Sequence, residues 1–80
     1  MRLPRDLSGD ELARSLAQLG YEVTRQTGSH LRLTTNLRGQ HHVTVPRHRV
    51  LRIGTLAEIL GDVAAHHGVE RADLVRRLFG

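Results

Sequence analysis

The residues best suited to chemistry in this sequence are grouped around Thr27-Gly28-Ser29-His30. An imidazole with an ordinary pKa of about 6.5 takes up or releases a proton near neutrality, so His30 suits general acid or base catalysis. No acidic residue occurs from Val23 to Ala57, whereas this stretch holds six arginines and four histidines. Such a stretch predicts a surface that holds a phosphate-bearing ligand, with His30 placed to act on it.

Two histidines are candidate catalytic residues, His30 first and His48 second. A loop histidine such as His48 equally often caps a carbonyl group, so both interpretations remain open for it. Gly28 is expected to let the ligand approach the backbone closely, and Ser29 to support the turn rather than act as a nucleophile. The residues predicted to contact the ligand are Arg25, Gly28, Ser29, Arg32, Arg47, Arg49 and Arg52.

A metal site is not expected. The chain has no cysteine, and the basic stretch has no carboxylate ligands. His41 and His42 are adjacent on a predicted strand and point to opposite faces, while His66 and His67 lie about 100° apart around a predicted helix. We therefore expect neither a metal nor another cofactor.

Composition favours a nucleic-acid partner. The 80 residues carry a formal net charge of +4, and every basic side chain is an arginine, which pairs bidentately with phosphate. Genome composition accounts equally well for the lack of lysine, but not for the clustering. Tyr21 and Phe79 are the only aromatic residues, so phosphate contact and shape should dominate over base stacking. No secretory signal or membrane-length segment is apparent, and we expect a cytoplasmic protein with no membrane partner.

Periodicity predicts an α+β fold. A capping box at Ser8–Glu11 starts the first helix, and glycines end the first two helices. The predicted helices are Gly9 to about Leu19, Leu56 to about His67 with a capping box at Thr55–Glu58, and Glu70–Leu78; the predicted strands are Tyr21–Gln26, His30–Thr35 and His41–Val45. We expect one domain over residues 1–80, with a core of about 8–68 and a C-terminal helix of about 70–78.

The predicted sheet is an antiparallel meander. If Thr35 pairs with His41, then Arg32 lies opposite Thr44 and His30 opposite Pro46, which brings His48 beside His30. The outward face would then carry His30, Arg32 and His42. The predicted core consists of Leu12, Leu16, Val23, Leu31, Leu33, Val43, Ile59, Leu60 and Val63.

Three motifs occur in order along the chain: Arg25-Gln-x-Gly28-Ser29-His30, Val43-x-Val45-Pro46-x-His48 and Gly54-Thr55-Leu56-x-x-Ile59-Leu60. In these the sequence resembles the HicA-type (YcfA-like) toxins of toxin–antitoxin pairs. The resemblance implies a fold like a double-stranded-RNA-binding domain, α-β-β-β-α, with a three-stranded antiparallel sheet backed by helices and here a short C-terminal helix. It further implies a small ribonuclease that cleaves mRNA with His30, and a HicB-like antitoxin that covers that site.

Two other functions fit the same residues. One is a non-catalytic RNA-binding module on the same fold, and the other is a small interaction protein whose basic face docks an acidic partner. The chain departs from the family pattern at Leu31, where members often carry a polar residue or histidine, and at Ile53, where the residue is commonly basic. The second departure removes one expected phosphate contact.

Overall fold

The computed structural model describes residues 3–80 as an α+β fold. Its helices are α1 (Gly9–Leu16), α2 (Ile53–His67) and α3 (Arg71–Phe79), and its strands are β1 (Glu22–Gln26), β2 (His30–Thr35) and β3 (His41–Pro46). The strands form one antiparallel sheet in the order β1-β2-β3, and α1 and α2 pack on it. This is the architecture of a double-stranded-RNA-binding domain, as predicted.

Helix α1 begins with the predicted capping box. Ser8 Oγ accepts a hydrogen bond from the Glu11 amide at 3.0 Å, and the Glu11 carboxylate accepts one from the Ser8 amide at 2.9 Å. These bonds hold the pKa of Glu11 below its usual value. The helix tightens into a 3₁₀ turn at Ala17–Leu19 and ends at Gly20, whose φ of 80° suits glycine.

The predicted strand register is confirmed. Thr35 pairs with His41, and the alternation along β2 buries Leu31 and Leu33 while His30 and Arg32 remain exposed. Because a shift by one residue would exchange the two faces, this register determines which side chains reach solvent. Leu31, the departure from the family pattern, thus lies in the core and not on the outward face.

The prediction that Val23 belongs to the core is wrong. Val23 lies opposite Leu33 and so faces the helical side of the sheet, but its side chain is 49% exposed. The helices pack mainly on β2 and β3, which leaves Val23 on β1 uncovered. Tyr21, just before β1, fills the core position instead and is only 2% exposed.

The predicted start of α2 is also wrong. The helix begins at Ile53 rather than Leu56, with Arg52 as its N-cap and no side-chain capping bond, so Thr55 lies inside the first turn. The cause is Leu51, which is buried in the core and donates its amide to the Leu7 carbonyl at 2.7 Å. Because of this anchor, the helix begins three residues before Leu56, its predicted first residue.

The sheet and the helices share one hydrophobic core. Helix α3 contributes Leu74, Val75 and Leu78 to it. The core consists of Leu12, Leu16, Leu19, Tyr21, Leu31, Leu33, Val43, Val45, Leu51, Leu56, Ile59, Leu60, Val63, Ala64, Leu74, Val75 and Leu78. Within residues 3–80, no helix has the length and apolar character needed to cross a membrane.

Candidate functional site

The turn from β1 to β2 fixes the backbone of His30. The Thr27 amide donates to the His30 carbonyl at 3.0 Å, and the His30 amide donates to Thr27 Oγ1 at 3.1 Å. Gly28 has no left-handed φ, and a Cβ placed on it would meet no atom within 4 Å. Glycine is therefore not required by the fold at this position, and its missing side chain leaves the surface beside His30 open.

Ser29 orients the His30 ring. Its hydroxyl lies 2.8 Å from His30 Nδ1, and the ring is exposed. If Ser29 accepts from Nδ1–H, Nε2 carries a free lone pair and is a base; if Ser29 donates, Nε2 carries the proton. Among residues 3–80 no hydrogen bond occupies Nε2, which is thus available to a substrate in either form.

Two arginines flank this histidine in an unfavourable arrangement. Arg25 and Arg32 are direct cross-strand partners, and both are exposed. Like charges directly opposite each other destabilise a strand pair. Neither guanidinium pairs with a carboxylate in the part of the chain that the structure describes. A bound anion would remove the repulsion, and the predicted contact of Arg25 and Arg32 with phosphate stays a prediction.

Arg47 is close to the site but its charge is already paired. Its amide donates to the Ser29 carbonyl at 2.8 Å, which ties the end of β3 to the turn before His30. Its guanidinium contacts both oxygens of Asp10 on α1, Nε at 3.1 Å and Nη2 at 3.3 Å. Arg47 therefore joins helix α1 to the site, and its predicted contact with phosphate stays a prediction.

The remaining predicted site residues lie on the loop from β3 to α2. His48, Arg49 and Arg52 are exposed, and the His48 carbonyl accepts from the Gly9 amide at 3.0 Å. Pro46, the last residue of β3, is the partner of His30, and His48 follows it by two residues. No hydrogen bond to its ring occurs among the described residues, so its role as a second proton carrier stays a prediction.

His42 was not among the predicted site residues, although it lies on the same outward face as His30. A chain of hydroxyl groups orients it: Thr24 Oγ1 lies 2.8 Å from Thr34 Oγ1, which lies 2.7 Å from His42 Nδ1. The register placed Thr34 opposite His42, but the contact with Thr24 depends on the irregular pairing of β1 between Val23 and Arg25. That irregularity had no signal in the sequence.

Three other histidines surround Tyr21 on the helical side. The Tyr21 hydroxyl lies 2.7 Å from His41 Nδ1 and 3.2 Å from His67 Nε2, and His41 Nε2 lies 3.2 Å from an Asp62 oxygen. Burial, aided by the Asp62 charge, raises the pKa of Tyr21 to about 12. The phenol therefore stays protonated and serves as a structural hydrogen-bonding group.

His66 completes this cluster. Its ring stacks on His41 with centroids 4.3 Å apart, and its Nε2 lies 3.0 Å from the carbonyl oxygens of both Leu37 and Gly39. These contacts attach α2 to the turn between β2 and β3. Over residues 3–80, no group of three or more histidine, aspartate or glutamate side chains is arranged to hold a metal ion.

Together these features define a small α+β protein with the fold of a double-stranded-RNA-binding domain, with an exposed histidine and exposed arginines on the outward face of its sheet. The family model described as HicA toxin of bacterial toxin-antitoxin matches residues 9–64, from the start of α1 into α2. The chain therefore belongs to the HicA toxin family and is the toxin of a toxin–antitoxin pair, which implies an antitoxin partner. Comparisons with curated proteins and with solved structures give no match.

Proposed function

We propose that this toxin is an endoribonuclease that cleaves mRNA in the cytoplasm and uses His30 as its catalytic residue. The observation that supports this most is the state of His30: an exposed imidazole, oriented through Nδ1 by Ser29, with Nε2 open to solvent. Beside it, Arg25 and Arg32 form a cross-strand pair whose repulsion an RNA phosphate would relieve.

The chemistry proposed is transfer of a phosphoryl group within the RNA chain. His30 Nε2, as the base, takes the proton of a ribose 2′-hydroxyl, and the 2′-oxygen attacks the adjacent phosphorus. The bond from phosphorus to the 5′-oxygen breaks, and this oxygen takes a proton from an acid. His48, or the protonated His30 itself, is the proposed acid. The products are a 2′,3′-cyclic phosphate and a 5′-hydroxyl end.

Arginine supplies the charge that this step requires. Arg32 and Arg25 hold the phosphate as negative charge develops on its oxygens, and Arg49 and Arg52 bind the RNA strand beyond it. Arg47 joins them if RNA draws its guanidinium away from Asp10. The open surface at Gly28 admits the RNA backbone next to His30. No metal takes part in this scheme, since imidazole and guanidinium groups supply both proton transfer and charge.

The substrate itself provides the test. Purified protein in EDTA should cleave an RNA oligonucleotide but leave the DNA of the same sequence intact, because DNA lacks the 2′-hydroxyl. A single 2′-deoxy substitution at the cleaved position should block that cut alone. Salt-dependent binding without cleavage would instead identify a non-catalytic RNA-binding module. Absence of both would leave a small interaction protein, and loss of cleavage on chelation would indicate a metal mechanism.

We also propose that a HicB-like antitoxin neutralises the toxin by covering His30. An open catalytic surface would be toxic unless it were blocked, and exposed arginines are well suited to a protein interface. In the complex, His30 and several of the arginines around it should become protected from solvent. A complex in which the His30 ring remains fully accessible to chemical modification would contradict this mode of neutralisation.

A further inference from the structure

Arg38 adopts a backbone conformation that its side chain does not favour. It lies in the turn between β2 and β3 with φ of 58°, followed by Gly39 with φ of 93°. Glycine, asparagine and aspartate are the residues that tolerate this left-handed region, and arginine is uncommon there. A strained residue of this kind points to a function of its side chain.

The Arg38 side chain reaches the end of α2. A Cβ placed on Gly68, which ends that helix, would lie 3.3 Å from Arg38 Nη2. Arg38 and Arg77 of α3 line a cavity of about 330 Å³, and Asp73 is the acidic residue in its wall. The other residues that line it are Leu19, His67, Val69 and Leu74.

This cavity carries positive charge that the described residues do not neutralise. Asp73 is paired with Arg76, and neither Arg38 nor Arg77 has a carboxylate partner within residues 3–80. His67 in the wall is buried and bonded to Tyr21. Its pKa is lowered by burial first, then by the neighbouring histidines His66 and His41 and by Arg38 and Arg77, so the neutral form is favoured and His67 adds no further positive charge.

We propose that this cavity, the Arg38–Arg77 pocket, binds a glutamate side chain of the antitoxin. The proposal rests on membership of the toxin family, which implies that partner, and not on the ribonuclease activity. Two guanidiniums suit a carboxylate, and the apolar wall of Leu19, Val69 and Leu74 suits the methylene stem that precedes it. This site lies at the opposite end of β2 from His30.

A protein ligand fits this pocket better than RNA does. A phosphodiester chain is bound along an extended groove of positive charge, whereas this cavity is a single concavity in which two guanidinium groups lie beside an apolar wall. One of its walls, α3, also lies outside residues 9–64, the part of the chain that matches the family model. The pocket would thus give this toxin a contact specific for its own antitoxin.

The probes are two blocked pentapeptides that differ only in a central Glu or Gln between alanines, added to the ¹⁵N-labelled 80-residue chain. The Glu peptide should shift the Nε–Hε signals of Arg38 and Arg77 with millimolar affinity, and the Gln peptide should bind at least tenfold more weakly. Equal binding of the two peptides, or shifts of these signals by a short RNA hairpin instead, would overturn the proposal.

The matched variants are Arg38→Asn and Arg77→Gln, with the exposed Arg71→Gln outside the pocket as the control. Asparagine accepts the left-handed turn, so Arg38→Asn should fold with an equal or higher Tm while it loses the Glu peptide. Both pocket variants should bind the antitoxin at least tenfold more weakly, and the control should not. Unchanged antitoxin affinity in either pocket variant would overturn the assignment. RNA cleavage should be unaffected, which separates this test from that of the proposed function.

Discussion

In the proposed mechanism, the hydroxyl of Ser29 determines how well His30 is placed for proton transfer. Its Oγ lies 2.8 Å from Nδ1 and is the hydrogen-bond partner that orients the ring. A net hydrogen bond is worth about 0.5–1.5 kcal/mol, equivalent to roughly threefold to tenfold in rate. Ser29→Ala should therefore lower kcat by about that factor and leave KM nearly unchanged, in a steady-state assay of RNA cleavage.

Ser29→Thr is the control for this prediction, because threonine keeps the hydroxyl and should retain most of the rate. If the alanine and threonine variants were equally slow, Ser29 would act on the turn alone.

Loss of one arginine of the Arg25–Arg32 pair should raise the stability of the fold and weaken RNA binding. Replacing Arg32 with Gln removes like-charge repulsion across β1 and β2, so the free energy of unfolding should rise by a few tenths of a kcal/mol. RNA affinity should fall at the same time, and the slope of log K against log salt should decrease by about one. Urea unfolding and a salt titration of RNA binding measure the two effects. A variant that lost stability but kept its salt slope would show that Arg32 serves the fold.

At the scale of elements, close contact between α1 and the end of β3 holds the site together. A Cβ on Gly9 would lie 2.0 Å from the Pro46 carbonyl oxygen, whereas one on Gly61 in α2 would meet nothing within 4 Å. Gly9→Ala should therefore lower the free energy of unfolding by more than about 2 kcal/mol. Gly61→Ala should raise it by about 0.5–1 kcal/mol, because glycine is disfavoured inside a helix.

Urea denaturation of both variants measures this difference, and the two glycines serve as controls for each other. Gly9→Ala should also slow RNA cleavage, since the displaced helix carries Asp10, the partner of Arg47. Equal stability of the two variants would contradict the close packing of α1 on β3.

Elements with local signals could be predicted from the sequence. The Ser8 capping box, the glycines at 20 and 68 and the alternation of β2 and β3 fixed most boundaries and the register. The predictions failed where contacts between residues distant in the sequence determine a helix start or the burial of a side chain. The core anchor Leu51 starts α2 early, and the packing of the helices on β2 and β3 leaves Val23 on β1 uncovered.

The candidate site was predictable to a similar extent. The outward positions of His30 and Arg32 follow from the register of β2 and β3, because neighbours in a ladder can be counted from the turn. The pairing of Arg25 with Arg32 does not, because it depends on the irregularity of β1 after Val23. Contacts between elements could not be counted in this way. Asp10 and Arg47 are separated by 37 positions, and the histidines around Tyr21 come from β3 and α2. The sequence showed these histidines only as two adjacent pairs, and it did not indicate that they form one cluster.

At the scale of the whole molecule, stability should depend on pH through His67. Burial is the first cause that lowers the pKa of this histidine below 6.5 in the folded state. The unfolded chain then binds the extra proton first, so the free energy of unfolding should fall as pH drops through about 6.5 and level off below the folded pKa. The groups that face His67 are His66, His41, Arg38, Arg77 and Tyr21.

Urea unfolding at pH 7.5 and pH 5 measures the effect. His67→Gln keeps a donor for the Tyr21 hydroxyl but removes the titration, so its loss of stability between the two values should be smaller than that of the unaltered protein. The same loss in both proteins would assign the acid sensitivity to other groups.

At the scale of the whole molecule, the proposed catalytic site and the proposed antitoxin pocket lie at opposite ends of one sheet. His30 and the exposed arginines Arg25 and Arg32 lie near the start of β2 on the outward face. The Arg38–Arg77 pocket lies beyond the other end of β2, against α2 and α3. An antitoxin that covers His30 and also fills the pocket would span the sheet. Part of the affinity for the antitoxin would then depend on residues that catalysis does not use.

The most direct test of the central claim is the rate of RNA cleavage by His30→Ala in EDTA. Because general acid–base catalysis contributes about 10²–10⁴-fold, we expect the rate to fall by at least 10²-fold while circular dichroism shows an unchanged fold. Free imidazole added to the variant should restore part of the rate, since it supplies the missing proton carrier. A folded His30→Ala protein that cleaves RNA at the unaltered rate would contradict the account.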